Sequence, residues 1–176
     1  MREVRNCDGR IIFLDIDGCL TTVEDGSSFL CLNENTYRIS EKKLELFGKL
    51  LDETDAKVII SSNWRKFDDD GYWIHGSLKF HNNLPKLREW LGDRYLGDLP
   101  YYRGMSKSKT LESWGELFGI DFDKLNFIVI DDDYDEGFAD NPKFLNRYVH
   151  CDSRRGLTED DCTKVKSMFA ARDEEI

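Results

Sequence analysis

Ile11-Ile12-Phe13-Leu14-Asp15-Ile16-Asp17-Gly18-Cys19-Leu20 is the stretch on which the reading of this chain turns. So short an apolar run reads as a buried parallel strand. Strand alternation puts residues i and i+2 on the same side, so Asp15 and Asp17 are expected to emerge together where the strand ends. Two anions held this close repel and lose hydration, which a cation or a shared proton has to offset. Gly18 lets the backbone turn at once. The pattern predicts a metal-assisted carboxylate site at the end of a central strand. An EF-hand calcium loop is excluded by spacing, because glycine falls at position 4 of such a loop and Gly26 stands where a bidentate glutamate is required.

Working outward, the strand is expected from about Arg10 to Ile16, behind an Asp8-Gly9 turn. Residues 18–39 show no sustained period and read as a long loop or small hairpin over the strand end, packed down by Phe29, Leu30 and Leu32. Ser40 is placed to cap a helix whose buried face is Leu44, Phe47, Leu50 and Leu51. Lys57-Val58-Ile59-Ile60-Ser61 is a second buried strand, and this rhythm of strand, helix and strand predicts a parallel sheet. The hydroxyls of Ser61 and Ser62 and the fork of Arg65 follow it, groups suited to phosphate oxygens.

Residues 66–105 are less regular. Asp68-Asp69-Asp70-Gly71 reads as a solvated turn, while Tyr72, Trp73, His75, Phe80 and His81 either wall a pocket or pack a loop. Asn83 and Pro85 open a helix with Leu84, Leu87, Trp90 and Leu91 on its buried face, and Leu99-Pro100-Tyr101-Tyr102 is expected as a short strand. Leu111, Trp114 and Phe118 then mark a helix ending near Gly119, with Lys107 or Lys109 in its first turn. A cation there opposes the helix dipole, which argues for a specific role. Leu125-Asn126-Phe127-Ile128-Val129-Ile130 is a further strand that runs straight into Asp131-Asp132-Asp133, extended by Asp135 and Glu136. Arg147-Tyr148-Val149-His150 is a fifth strand, and Thr158 caps a last helix that buries Cys162, Val165 and Phe169.

Composition narrows the function classes. The chain has 176 residues, 40% apolar and 34% charged, the size and balance of one globular domain with one sizeable core. No apolar run approaches a membrane span, and the first residues lack the apolar core of a secretory signal, so a cytoplasmic protein is expected. Five cysteines without a Cys-x-x-Cys pair read as reduced thiols. A net charge of −10 disfavours a large non-specific nucleic-acid surface but is compatible with a local basic patch and with holding a divalent cation.

Asp15-Ile16-Asp17-Gly18, the strand ending in Ser61-Ser62, the lysine opening the helix at 107 and the strand ending in Asp131-Asp132 resemble, in order, the four motifs of the haloacid dehalogenase (HAD) superfamily of phosphohydrolases. Ile59-Ile60-Ser61-Ser62-Asn63-Trp64-Arg65, Ile130-Asp131-Asp132-Asp133 and Gly156-Leu157-Thr158 look more narrowly like the HAD domains of polynucleotide kinase-phosphatase-like end-repair proteins. The resemblance implies a Rossmann-like three-layer α/β sandwich with a mainly parallel five-stranded sheet. It leaves room only for small lid segments at about 18–39 and 66–105 and no large cap domain. The implied activity is a Mg²⁺-dependent phosphatase working through an aspartyl-phosphate. Asp15 is then the nucleophile, Asp17 the acid and base, and Lys107 (favoured over Lys109 by the residues that follow) the bridge to the phosphoryl group. Ser61 or Ser62 binds phosphate, and Arg65, Arg103 and Lys109 form a basic patch. Asp15, Asp17 through its backbone carbonyl, and Asp131 or Asp132 hold the metal, with Asp133 a further candidate. The expected partner is a phosphorylated substrate such as a nucleotide or nucleic-acid end, with no membrane. The alternatives are a catalytically silent phosphate-binding or regulatory module of the same fold, and an interaction protein using the aromatic 66–102 segment.

Overall fold

The computed structural model describes residues 9–27, 38–66, 72–75, 78–102 and 104–175, and of residues 65, 66, 72–75, 78–81 and 134 the backbone only. The chain order is β1 (Arg10–Leu14), α1 (Glu41–Thr54), β2 (Lys57–Ile60), β3 (Tyr72–His75), β4 (Leu78–His81), α2 (Leu84–Leu91), β5 (Tyr95–Asp98), α3 (Lys107–Phe118), β6 (Asn126–Asp131), β7 (Tyr148–His150) and α4 (Glu159–Asp173). Five strands form one all-parallel sheet in the order β5-β2-β1-β6-β7, and β3 and β4 pair antiparallel on their own.

The parallel sheet is covered on both faces, which its unbroken apolar strands require. Ile12, Leu14, Val58, Ile60, Ile128 and Ile130 face one way and pack with Phe47 and Leu50 of α1, Leu84 and Leu87 of α2, and Val165 and Phe169 of α4. Ile11, Phe13, Ile59, Phe127 and Val129 face the other way and meet Leu111 and Trp114 of α3, with Phe138 and Phe144 from the segment before β7. Phe13 stands edge-on to both Trp114 and Phe127, at ring-centroid distances of 5.9 and 5.7 Å. This is the expected three-layer α/β sandwich. Among the described residues the only sheet outside it is the β3–β4 hairpin, so no large cap stands over the strand ends.

Local chemistry explains the helix ends. Ser40 accepts a hydrogen bond from the Lys43 backbone at the start of α1, and Thr158 and Asp161 form a reciprocal capping box at the start of α4. Four details correct the expectations. β1 stops at Leu14, not Ile16, because the chain after Asp15 turns: the Cys19, Leu20 and Thr21 N–H groups all donate to the Ile16 carbonyl. The strand expected at 99–102 lies at Tyr95–Asp98, with a register shift against β2; Leu99 N still donates to Ile60 O, but Pro100 offers no N–H and the ladder ends. Asn83 makes no capping bond, and the Asn82 carboxamide accepts the Leu84 N–H instead. Trp90 is 44% exposed and not part of the buried face of α2. Phe29, Leu30, Leu32, Asp68, Asp69, Asp70 and Gly71 lie outside the described residues, as do the side chains of Tyr72, Trp73, His75, Phe80 and His81. Cys19, Cys151 and Cys162 are free buried thiols, while Cys7 and Cys31 lie outside the described residues.

Phe13→Ala removes the ring on which α3 rests. It is expected to cost about 3–5 kcal/mol, the usual loss for a buried phenylalanine, as a fall in the urea midpoint at unchanged slope; a loss below about 1 kcal/mol would show that α3 is held elsewhere.

Candidate active site

β1 lies between β2 and β6, where the strand order reverses direction, and such a switch point leaves a crevice at the carboxyl ends of the strands. Asp15 follows β1 there and keeps the ladder going, its N–H donating to Ile130 O at 2.9 Å. Ser61 follows β2 beside it, its N–H donating to Leu14 O at 2.8 Å. Asp131 ends β6, and Lys107 opens α3. Residues 92 positions apart in the chain thus meet: Lys107 Nζ donates to Asp15 Oδ2 and to Asp131 Oδ2, both at 2.7 Å.

All three groups are withdrawn from water: Lys107 is 3% exposed, Asp15 4% and Asp131 0%. Burial works against the Lys107 ammonium, but the charges of Asp15 and Asp131 outweigh it and hold the amine well above the usual lysine range. Burial, then the charge of Asp15, push the Asp131 carboxyl well above the usual range, with Lys107 only partly opposing them. Asp132 is pushed up to about 7 by burial and then by Asp15. One carboxylate oxygen from each of Asp15, Asp131 and Asp132 lies within 4.8 Å of the others. With all three ionised, these carboxylates leave two negative charges unmatched by the single ammonium, the charge of one divalent cation, and without such a cation burial favours the protonated forms of Asp131 and Asp132. The donors are hard oxygens, which suit Mg²⁺ in kind.

The backbone around the cluster leaves little choice of residue. Gly18 has φ +68°, and a Cβ built on it would stand 1.9 Å from Asp132 Oδ2; Asp132 occupies the space a side chain would need. The Asp132 carbonyl contacts His150 Nε2 at 2.9 Å, and Asp131 Oδ1 accepts the Asp133 N–H at 3.0 Å. Lys107 N donates to Glu136 Oε2 at 2.6 Å, so a carboxylate meets the α3 N-terminus and offsets the cation placed in its first turn.

Asp17 is held apart from this trio. Its Oδ2 accepts Trp64 Nε1–H at 2.8 Å, its Oδ1 accepts the Thr21 hydroxyl at 3.2 Å, and burial followed by the charge of Asp15 push it up to about 6. Its carboxylate is not among the clustered oxygens. The two serines separate as well. Ser62 Oγ accepts the Trp64 N–H at 3.3 Å, whereas Ser61 Oγ is buried with no hydrogen-bond partner among the described residues. Lys109 is exposed on α3 and is not brought to the carboxylates, because two helical positions turn it away from Lys107. Asp133 caps the following turn through Asp135 N instead of joining the cluster. Arg103 and the Arg65 side chain lie outside the described residues. Sequence reading missed Trp64, Thr21 and Glu136 as partners of Asp17 and Lys107. Only Thr21 carries a local signal, four positions beyond Asp17, and the other two arrive from distant turns.

Beyond this geometry, the sequence model of one family, described as the HAD domain in Swiss Army Knife RNA repair proteins, matches residues 11–162. No curated protein matches the chain. Among the described residues no helix is long and apolar enough to cross a membrane.

The raised carboxylates give the metal-free protein a definite pH response. Asp17 and Asp132 bind protons more tightly when folded, at about 6 and about 7, than in the unfolded chain, where ordinary carboxylates titrate near ~4. Stability in a chelating buffer is therefore expected to fall as pH rises from about 4 to about 7. Mg²⁺ is expected to raise the melting temperature most at the upper end of that window. A melting temperature indifferent to Mg²⁺ at pH 7.5 would argue against a cation at the cluster.

Proposed function

The chain belongs to the family of HAD domains found in Swiss Army Knife RNA repair proteins, and from that premise we propose that it is a Mg²⁺-dependent phosphomonoesterase acting on a phosphorylated nucleic-acid end, RNA in the first place. Membership makes it a phosphohydrolase-type domain; the metal, the intermediate and the substrate are our reading. The observation that carries it is the meeting of Asp15, Lys107, Asp131 and Asp132 at the carboxyl edge of the sheet.

A phosphate monoester resists attack because its oxygens repel a nucleophile, so the site must supply positive charge and alignment. Asp15 attacks phosphorus. The new bond joins its carboxylate oxygen to phosphorus while the ester oxygen leaves with the bonding pair, giving an aspartyl-phosphate. Asp17, pushed up to about 6 and anchored by Trp64 and Thr21, holds the proton that the leaving oxygen takes. Its carboxylate then takes a proton from the water that attacks the aspartyl-phosphate, releasing inorganic phosphate and restoring Asp15. Lys107 fixes Asp15 and offsets charge on the phosphoryl oxygens. The unpartnered Ser61 hydroxyl, next to Asp15 across the sheet, is the donor available for one of those oxygens. Mg²⁺, when held by Asp15, Asp131 and Asp132, offsets the remaining negative charge and makes phosphorus a better electrophile.

The test is Mg²⁺-dependent phosphate release from p-nitrophenyl phosphate and from short oligonucleotides phosphorylated at either end. Asp15→Asn is expected to abolish release while leaving the fold intact, since Asp131 still pairs with Lys107. Ser61→Ala is expected to lower kcat by about 10²–10³, as for loss of one donor to a developing charge. Ser62→Ala should instead cost stability through the lost bond to Trp64 N. Full activity in Asp15→Asn would refute the nucleophile, and phosphate binding without release by the native chain would return the protein to the silent-module reading.

A further inference from the structure

Apolar side chains exposed to water cluster on the segment that leads into the candidate active site. Among the described residues seven large apolar side chains are exposed, and three of them, Tyr101, Tyr102 and Met105, fall within five consecutive positions. Tyr101 and Tyr102 are each 42% exposed. Both ends of this segment are pinned beside Asp15. At one end Leu99 is buried and its N–H donates to Ile60 O, and Ile60 pairs with Leu14, the residue before Asp15. At the other end Lys107 bonds Asp15 directly. A backbone bond from Met105 N to Tyr102 O, 3.1 Å, folds the segment between them.

Adjacent strands are about 4.8 Å apart, and one residue spans at most ~3.6 Å. Tyr101 and Tyr102 therefore stand on the rim within the reach of the first few nucleotides of a strand whose terminal phosphate is at Asp15. Charge supplies the second argument. A chain of net charge −10 repels a polyanion on average and lacks the usual overall surplus of lysine and arginine for holding one, so a contact that needs no net charge is favoured. Stacking of bases on aromatic faces needs no net charge and tolerates any base, since every base has a π-face. It also requires bases that are not already stacked in a duplex.

Resting on the phosphatase reading above, we propose that Tyr101 and Tyr102 form a stacking platform for the terminal unpaired bases of a single-stranded RNA end whose phosphate lies at Asp15. Met105 extends the apolar floor beside them. The platform makes the domain select frayed or single-stranded ends over blunt duplex ends and over small base-free phosphate esters.

Equilibrium binding of a fluorescently labelled single-stranded RNA with a terminal phosphate, in Mg²⁺, tests the platform without turnover. The parent protein carries Asp15→Asn so that the probe is not consumed. Adding Tyr101→Ala and Tyr102→Ala is expected to weaken binding at least about fivefold, the lower bound for one lost base stack. Phenylalanine at both positions is expected to restore it. An RNA with abasic terminal residues is expected to bind the parent and the alanine variant alike. Equal affinity of parent and alanine variant for the base-bearing RNA would overturn the proposal. So would tighter binding of the blunt duplex, or tyrosine dependence seen with DNA of the same sequence but not with RNA. Sedimentation showing a dimer that the alanine variant abolishes, with RNA affinity unchanged, would assign the patch to self-association. Phosphate release by the protein with Asp15 intact is read separately. Its absence beside tyrosine-dependent binding sinks the phosphatase reading alone, and its presence beside tyrosine-independent binding sinks the platform alone.

Discussion

One ammonium group holds two buried carboxylates together. Lys107 Nζ sits 2.7 Å from both Asp15 and Asp131, in a place where all three are buried. Removing either sign would leave an uncompensated charge in the protein interior, one of the costliest defects a fold can carry. The surroundings are consequently constrained. β1 and β6 must be neighbours so that their ends carry Asp15 and Asp131 side by side, and α3 must point its first turn at them. The first turn of a helix is a poor place for a cation, and Glu136 meets the Lys107 N–H there, so the arrangement is compensated on the backbone as well as at the side chain.

The two faces of the sheet divide the labour that follows from this. One face carries three helices on an aliphatic layer, and α1 and α4 are fastened at their starts by side-chain caps. The other carries α3 alone, its Trp114 and Leu111 seated on Phe13 and Phe127 with Phe138 and Phe144 filling the remainder. Aromatic rings give α3 a large contact area in few residues, which suits the helix whose position sets the Lys107–Asp15 contact. The loop after β7 locks the opposite side of the crevice: Leu157 N donates to Cys19 O, Glu24 N donates to Arg154 O, and Lys43 Nζ donates to Leu157 O. A Cβ on Gly156 would stand 2.7 Å from Cys19 O, so that contact admits glycine alone.

The proposed chemistry divides the four acidic residues by environment. Asp15, Asp131 and Asp132 share one small volume short of positive charge, the condition for drawing in a divalent cation. Asp17, two residues from Asp15, is tied instead to Trp64 and Thr21 and raised to about 6. A carboxyl in that range is able to give up a proton and take it back near neutral pH. Two aspartates of one motif thereby acquire different tasks from the groups that surround them.

The chain by itself determined the parallel α/β class, both acidic strand ends and a helix opening on a lysine, Lys107 or Lys109. Those features are local patterns, an apolar run followed by charge or a cap followed by a periodic helix, and such patterns persist whatever packs around them. It misplaced β5 by four residues because Leu99-Pro100-Tyr101-Tyr102 and Tyr95-Leu96-Gly97-Asp98 are about equally strand-like, and only pairing with β2 distinguishes them. Only tertiary structure sets Ser61 apart from Ser62 and Lys107 apart from Lys109. In each pair the two residues have the same chemistry, and they differ only in surroundings: Lys107 reaches Asp15 while Lys109 is exposed, and Ser62 Oγ accepts the Trp64 N–H while Ser61 Oγ is buried with no partner among the described residues. A hydrogen-bond partner dozens of residues away leaves no trace in local spacing; it exists only once the sheet has brought the strand ends together.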